Sequence, residues 1–341
     1  MKLVISHYSA LRYWRFIGTE VETELLSTIP QYGSDKWPRP SRAKSLADAT
    51  SSVKIARTFD PESHDFYMSD QYPLDVLVSK RDDRRPATQI NPHIWSTRLP
   101  YGSLCLVTDN LYVCSPEFVF LQLAPSLDEA RRVQLATELC GTYSLIKGER
   151  FRQRTMPLTS KTNLENFVAR AERAPGVAKA RAALRWTQDN SRSPMETIMF
   201  LLLCLPTRLG GYGLPLPKLN PKVDVGTRMA SFVSDPYYRP DCLWEKKIND
   251  STILVTAEYD SHEYHDKEQD AEHTRIRRNN FKTLGYLVTS INKSQVRKAS
   301  EFQYPARQIA RDLHLRRKEP EISELSRTDD LIKLLFAEEV W

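Results

Sequence analysis

A short helix that is apolar on every side is the feature of this sequence that most limits its fold. Ser193-Pro-Met-Glu196 has the signs of a helix start: a serine cap, a proline in the first position and an acid in the first turn. Residues 198–205 then form the longest apolar run. Eight residues are too few to cross a bilayer, which takes about 20. The segment therefore predicts a helix buried in the core of a layered domain.

The rest of the composition favours an ordinary cytoplasmic protein. A length of 341 residues suggests about two domains. The five cysteines are irregularly spaced and form no CxxC pair, which indicates buried thiols in a reducing compartment. The first 16 residues lack the apolar core of a signal peptide. We expect a cytoplasmic location and no membrane partner.

The order of the predicted elements indicates the α/β class. Short apolar runs at residues 74–78 and 104–107, separated by turn residues, predict strands of a mixed α/β domain over residues 1–160. Residues 161–190 are expected to form a helical linker, residues 191–300 a second domain, and residues 301–341 a basic helical tail. In the second domain the expected order is helix, strand (241–244), polar turn (246–251), buried strand (252–259), helix (268–284) and strand (286–291).

Four acids in the second domain occupy positions that suit a metal site. Glu196 lies in the first turn of the buried helix, and Asp241 begins the first strand. Glu258 and Asp260 end the next strand two residues apart, so their side chains project from the same face. If the two strands pair as a hairpin, Asp241 and Glu258 lie side by side. Oxygen ligands of this kind suit Mg²⁺, with Mn²⁺ as a substitute, and such an ion can polarise a phosphodiester and activate water.

A strand that simply exposes its acids to solvent is the competing explanation for this pattern. Alternation along a strand places acids at the surface of many proteins. The segment before Glu258, Ile253-Leu-Val-Thr-Ala257, favours a buried strand instead. Carboxylates gathered at the end of a buried strand repel one another unless a cation compensates their charge.

The same residues resemble the PD-(D/E)xK nuclease superfamily, in particular domains related to very-short-patch repair endonucleases. The resemblance covers residues 191–300 and rests on Ser-Pro-Met-Glu196, Arg-Pro-Asp241, the strand ending Glu258-Tyr-Asp260-Ser, His265, and Arg277-Arg-Asn-Asn-Phe-Lys-Thr-Leu-Gly-Tyr286. It implies a restriction-endonuclease-like core, a mixed sheet flanked by helices, in which Glu196, Asp241 and Glu258 bind the metal. Asp260 stands where the superfamily motif has its lysine.

Two histidines follow the acids, and their role stays open. His262 and His265 form an HxxH pair just after Asp260. The resemblance implies that His265 assists proton transfer. Zinc binding by the pair together with Cys242 is an alternative that lacks an evident fourth ligand. Two solvated loop histidines are the third explanation.

A basic helix after the acids predicts phosphate contacts. Arg275, Arg277, Arg278 and Lys282 lie on it, although not all can share one face. The total charge of +6 hides two opposed blocks, because residues 249–272 hold eight acids and one lysine whereas residues 273–318 hold twelve basic residues and two acids. A cation-dependent enzyme acting on a polyanion needs an acidic pocket beside a basic surface.

The N-terminal half carries a second resemblance. Tyr112-Val-Cys-Ser-Pro-Glu-Phe-Val-Phe-Leu-Gln-Leu-Ala124 is similar to a segment of abortive-infection antitoxins of type IV toxin–antitoxin systems. It implies that this half recognises a target or a partner. Besides nucleic acid, the partners we expect are another protein or a second copy of the chain. Together the two resemblances lead us to expect a metal-dependent endonuclease of prokaryotic defence, acting on DNA rather than RNA. The alternative is a non-catalytic DNA-binding regulator or antitoxin that keeps the nuclease fold.

Overall fold

The chain divides into two compact units, and neither is one continuous segment. The computed structural model describes residues 3–20, 31–32, 73–79, 81, 90–108, 111–146, 151–224, 237–260 and 281–337. The first unit comprises Met1–Asp128, Thr142–Arg185 and Glu339–Trp341, and the second comprises Glu129–Gly141 and Trp186–Glu338. Both contain mixed sheets with helices, so the predicted α/β class is confirmed.

The strands of the first unit form a mixed sheet. Its described strands are β1 (Leu3–Ile5), β2 (Gln31–Tyr32), β3 (Leu74–Val78), β4 (Ile90–Ile94), β5 (Leu104–Thr108) and β6 (Leu111–Cys114). They lie in the order β2-β5-β6-β1-β3-β4. The first strand pairs in parallel with β6 and antiparallel with β3, and β3 pairs in parallel with β4. A separate antiparallel pair joins β7 (Tyr143–Ser144) to β8 (Arg152–Gln153).

The helices follow the local signals in the sequence. They are α1 (His7–Glu20), α2 (Pro116–Leu123), α3 (Glu129–Leu139), α4 (Lys161–Arg170), α5 (Val177–Leu184), α6 (Pro194–Cys204), α7 (Lys293–Val296), α8 (Ala299–Asp312) and α9 (Ile322–Phe336). The Ser115 side chain caps α2, with Pro116 in the first position, and Ser193 caps α6 ahead of Pro194 in the same way. Residues Thr197 to Cys204 are all buried, which confirms the predicted core helix.

The segment expected to be a linker consists of two helices that belong to the first unit. In α4, Leu164, Phe167 and Val168 are buried, and this helix packs against α2. The break between α4 and α5 ends at Gly176, which has φ +88° and lies against Leu121 and Pro125. Their apolar faces are thus part of a core, and the first unit continues to residue 185. The residues expected to form a basic tail likewise fold as α8 and α9 within the second unit.

The second unit contains the sheet that carries the predicted acids. Its strands β9 (Lys218–Leu219), β12 (Cys242–Ile248), β13 (Ser251–Asp260) and β14 (Tyr286–Asn292) lie in the order β14-β13-β12-β9. A small pair, β10 (Val223–Asp224) and β11 (Tyr237–Tyr238), forms a separate two-stranded sheet, and Tyr238 packs against Tyr286 of β14. The long hairpin β12–β13 is antiparallel, whereas β13 and β14 are parallel.

The hairpin turn is tighter than the sequence predicts. We expected a polar turn over residues 246–251, but Lys246 and Lys247 remain paired in β12, opposite Ile253 and Thr252. The turn is confined to residues 249–250, and Asn249 has φ +53°. Charged side chains at this end of β12 alternate between exposed and half-buried positions. Their polarity therefore marks a solvated sheet face and not the end of the strand.

Among the described residues, no helix has both the length and the apolar surface that crossing a lipid bilayer requires. The longest apolar helix, α6, has 11 residues.

Candidate functional site

Glu196 is held at the start of α6 by hydrogen bonds to one of its carboxylate oxygens. Its backbone N–H donates to the Ser193 hydroxyl at 3.1 Å, which completes the cap of the helix. Its Oε2 accepts from the backbone N–H of Arg192 at 2.9 Å and from the side-chain amide of Asn220 at 2.7 Å. The other oxygen, Oε1, has no hydrogen-bond partner among the described residues. One oxygen orients the half-buried carboxylate, and the other stays available to a ligand.

Asn220 links this helix start to the strand that follows Asp241. It is 7% exposed, and its Nδ2 donates to the backbone oxygen of Asn190 at 3.0 Å as well as to Glu196. Its backbone N–H donates to the carbonyl oxygen of Asp241 at 3.3 Å. Sequence reasoning missed this residue. The only local signal is its place before Pro221, a pattern typical of a turn.

Asp241 and Glu258 lie opposite each other at the open end of the hairpin. In the register of β12 and β13, Cys242 pairs with Ala257, so the preceding Asp241 faces Glu258. The Oδ2 of Asp241 accepts a hydrogen bond from the backbone N–H of Tyr259 at 2.7 Å. This bond holds the Asp241 carboxylate against the end of β13. The hairpin register therefore makes Asp241 and Glu258 neighbours along the backbone.

Glu258 and Asp260 share one face of β13 and are half-buried. The Oε1 atom of Glu258 is itself buried. On the other side of β13, Glu258 pairs in register with Ser290 of β14, and Asp260 pairs with Asn292. The acids are thus flanked by polar residues of the neighbouring parallel strand.

Cys242, which follows Asp241, has a fully buried thiol. Burial raises the pKa of this thiol well above its usual range, and the neighbouring Cys204, Asp241 and Glu196 raise it further. The zinc alternative at Cys242 stays a prediction, because His262 and His265 lie outside the described residues.

The donor chemistry suits Mg²⁺, although the described residues do not form a closed metal cage. No group of three or more His, Cys, Asp or Glu in the described part of the chain has the geometry to hold an ion. Mg²⁺ commonly takes only one or two protein carboxylates and keeps several waters. The facing pair Asp241 and Glu258, with Glu196 tied in through Asn220, meets that smaller requirement.

Several residues predicted for this site lie outside the described residues. They are His262, His265, Arg275, Arg277 and Arg278. Of the predicted phosphate contacts, the structure describes Lys282, which is exposed in the helical residues 281–283 just before β14. The placement of the histidine and of the three arginines stays a prediction.

A second polar cluster, in the first unit, was not foreseen. Asp75 of β3 is 6% exposed, and its carboxylate accepts from the backbone N–H of Ser9 at 3.2 Å, from Asn91 at 2.9 Å and from His93 Nε2 at 2.7 Å. The ring of His93 stacks on that of His7, with centroids 3.6 Å apart and planes at 16°. These residues are far apart in the sequence and meet only through the pairing of β1, β3 and β4, so no local signal could reveal them.

The cluster fastens α1 to the sheet and does not form a metal site. Burial favours the neutral acid, but the hydrogen bond and charge of His93, the charge of His7 and a hydrogen bond from Asn91 together lower the pKa of Asp75. The ionised carboxylate accepts hydrogen bonds from the backbone N–H and the hydroxyl of Ser9, which lies in the first turn of α1. A metal–nitrogen bond lies in the plane of an imidazole, and one ion cannot lie in two nearly parallel planes 3.6 Å apart.

Comparisons with protein-family models, curated proteins and solved structures found no match to this chain. A functional proposal therefore rests on the residues described above and on the sequence resemblances.

Proposed function

We propose that this protein is a Mg²⁺-dependent endonuclease that hydrolyses phosphodiester bonds of nucleic acid, DNA rather than RNA, in the cytoplasm. The proposal rests above all on Asp241 and Glu258, which face each other at the open end of the hairpin. Glu196 is joined to the same region by Asn220. A pair of carboxylates suits Mg²⁺, which commonly takes one or two protein carboxylates and keeps several waters.

Each acid has a role that its surroundings support. Asp241 and Glu258 hold the cation, and Glu196, whose Oε1 oxygen has no hydrogen-bond partner among the described residues, contacts it through a metal-bound water. When bound, Mg²⁺ polarises the scissile phosphodiester and acidifies the attacking water. Asp260 orients that water, since it projects from the same face of β13 as Glu258.

The residues around the acids complete the proposed site. His265 assists proton transfer, and Arg275, Arg277, Arg278 and Lys282 contact the phosphate backbone. The superfamily pattern has a lysine where this chain has Asp260, so no lysine activates the water in this proposal. The prokaryotic defence or toxin–antitoxin setting and the recognition role of the first unit are part of the same proposal, on the sequence resemblances alone.

A non-catalytic DNA-binding regulator is the second candidate, and one observation favours it. Carboxylate oxygens of Glu196 and Asp241 accept hydrogen bonds from the protein, and the described residues hold no three-ligand group. In such a protein the acids would orient the strand ends, and the fold would serve binding alone.

Cleavage assays with matched variants separate the two candidates. The substrates are a supercoiled plasmid and labelled single- and double-stranded oligonucleotides, incubated with Mg²⁺, with Mn²⁺ or with EDTA. We expect cutting that EDTA abolishes and that Asp241→Asn and Glu258→Gln each reduce by more than the roughly 10- to 100-fold typical of residues outside the first ligand shell.

Asp250→Asn is the matched control, because it removes one acid from the exposed turn of the same hairpin. Its activity should equal that of the wild type. Metal-dependent cutting that survives both site substitutions would remove Asp241 and Glu258 from the proposal. Binding of DNA without cutting in any metal would favour the regulator.

A further inference from the structure

A polar cavity lies between the C-terminal half of β14, the strand that pairs with β13, and the helix α8. Its volume is about 420 Å³, within the range of ligand sites in proteins. The side chains that matter for its chemistry are Ser290, Gln295, Tyr304, Arg307, Gln308 and Arg311. All of them belong to the second unit.

Two guanidinium groups make the cavity attractive to an anion. Arg307 and Arg311 lie one turn apart on α8, so both reach the same face. Arg311 donates to the side-chain oxygen of Gln308 at 2.8 Å. Arg307 pairs with the exposed Glu319 at 2.7 Å, an exposed ion pair of a kind that contributes little to stability and that a phosphate can replace. Both cations are thus positioned for exchange with a ligand.

Tyr304 adds an aromatic surface to the same face of the helix. It precedes Arg307 by three residues and Arg311 by seven, which is the spacing of one helical stripe. Its side chain is 64% exposed although it lines the cavity. An exposed aromatic ring beside cationic side chains is the usual platform for a nucleic-acid base.

Ser290 connects the cavity to the proposed catalytic acids. It pairs in register with Glu258 on the adjacent parallel strand, and strands of a sheet lie about 4.8 Å apart. The Ser290 hydroxyl is buried and has no hydrogen-bond partner among the described residues. A buried hydroxyl of this kind costs stability unless a partner arrives.

We propose that this cavity binds one unpaired nucleotide of the nucleic-acid strand, with its base stacked on Tyr304 and its phosphate held by Arg311 and Arg307. This inference rests on the proposed function, because it assigns the cavity to the substrate of the Glu258 site. A base within a duplex is stacked on its neighbours and cannot lie against a protein ring. The cavity therefore selects single-stranded or locally opened substrate.

Binding measured without metal tests the cavity independently of cleavage. Fluorescence anisotropy in EDTA compares labelled dT12 with a 12-base-pair duplex, and unlabelled thymidine 5′-monophosphate serves as competitor. We expect dT12 to bind more tightly than the duplex and Tyr304→Ala to weaken dT12 binding by at least about fivefold, as loss of one stacked base does. The plot of the logarithm of the dT12 binding constant against the logarithm of the salt concentration has a negative slope. Arg311→Gln should make that slope less steep by about 0.7, which is the contribution of one phosphate contact on a single strand.

Two exposed residues of the first unit provide matched controls. Tyr101 is 65% exposed, almost the same as Tyr304, and Arg173 is exposed on the short connection between α4 and α5. Tyr101→Ala and Arg173→Gln should leave dT12 affinity unchanged. Circular dichroism checks that each variant stays folded.

Each result has a stated meaning for the cavity and for the nuclease. Two results would overturn the cavity proposal even if Mg²⁺-dependent cleavage is observed. One is an equal loss of dT12 affinity in Tyr304→Ala and Tyr101→Ala, and the other is tighter binding of the duplex than of dT12. If thymidine 5′-monophosphate competes more strongly than the same concentration of nucleotide supplied as unlabelled dT12, the cavity binds a free nucleotide. That result would overturn the proposal that it binds a nucleotide of a strand. Tyr304-dependent dT12 binding without cleavage in any metal would support the cavity and contradict the nuclease.

Discussion

Asn220 shows how one residue can organise a site without carrying any charge. Its backbone has φ +46°, in the left-handed region that asparagine tolerates better than most residues. That conformation lets the side chain reach Glu196 and Asn190 while the backbone N–H reaches Asp241. The asparagine therefore sets the position of one acid relative to the strand that begins at another.

Substitutions at Asn220 should separate the effect of its backbone from that of its side chain. Asn220→Gly keeps the left-handed conformation but removes both side-chain bonds, and we expect it to lower the free energy of unfolding by about 1–3 kcal/mol. Asn220→Ala should cost about 1–2 kcal/mol more, because a Cβ without a hydrogen-bonding group disfavours this conformation. Urea denaturation measures both. Equal stability of the two variants would show that the left-handed conformation is not populated in solution.

The sequence predicts the acids of the site better than the residue that joins them. Asp241 and Glu258 flank strands with clear apolar patterns, and pairing of adjacent strands in a hairpin brings them together. Asn220 lies in a short polar segment before Pro221, and nothing in that segment indicates that it reaches back to Glu196. Its partners depend on how α6 packs beside the sheet, which is a tertiary property.

At the scale of elements, the glycines after α6 serve close packing. Gly210 has φ +89°, and a Cβ placed on it would overlap the carbonyl oxygen of Arg327 in α9. The hydroxyl of Thr328 donates to the Gly210 carbonyl at 2.8 Å. Gly210, which ends the short 3₁₀ helix Thr207–Leu209 after α6, is thus also the point where another helix approaches its backbone.

A matched pair of glycine substitutions can measure the cost of that approach. Gly285 has nearly the same conformation, φ +85°, but no atom lies within 4 Å of a Cβ built there. We expect Gly285→Ala to destabilise the protein by about 1–2 kcal/mol, through the backbone alone. Gly210→Ala should cost roughly a further 1–3 kcal/mol, since the backbone of α9 must move. Thermal or urea unfolding that gives equal losses would contradict the proposed contact.

Elements with local start signals were predicted well, and those that depend on partners were not. The serine–proline caps of α2 and α6 are encoded within four residues, and both helices begin where expected. The charged end of β12 was interpreted as a turn, because Lys246 and Lys247 are polar and only pairing with β13 shows them to be strand residues. The helices α4 and α5 were expected to form a linker but belong to the first unit. The reason is similar, because the sequence of an amphipathic helix does not show which core its apolar face covers.

At the scale of the whole molecule, two buried ionisable groups make the first unit sensitive to acid. Burial, and then repulsion from His93, lower the pKa of His7 to about 3 despite the opposing charge of Asp75. The unfolded chain therefore binds a proton at His7 below about pH 6.5 that the folded protein does not bind until about pH 3. Stability contributed by the neutral ring falls as the pH decreases through this window. The lowered pKa of Asp75 adds a further loss below about pH 3.8.

Hydrogen exchange at two pH values tests this expectation for the first unit alone. Between pH 7.5 and pH 5 we expect the opening free energy of peptides spanning β1 and β3 to fall by about 2 kcal/mol, since 1.5 pKa units separate pH 5 from the ordinary histidine value. His7→Asn removes the titrating ring and tolerates the left-handed backbone at this position, φ +49°. This variant should lose much less stability over the same interval. The same loss in both proteins would assign the acid sensitivity to other groups.

The helix α3 has a consequence for how the protein is made. It belongs to the second unit, packs against α6 and α9, and its buried Arg131 donates to the carbonyl oxygen of Ala337 at 2.8 Å. A ribosome therefore releases α3 long before the rest of its core exists, and then completes the first unit with residues 142–185. The buried face of α3 must wait for α9 during nearly 200 residues of synthesis. During that interval the nascent protein depends on whatever shields α3, and gene fragments that begin after it would encode a second unit without part of its core.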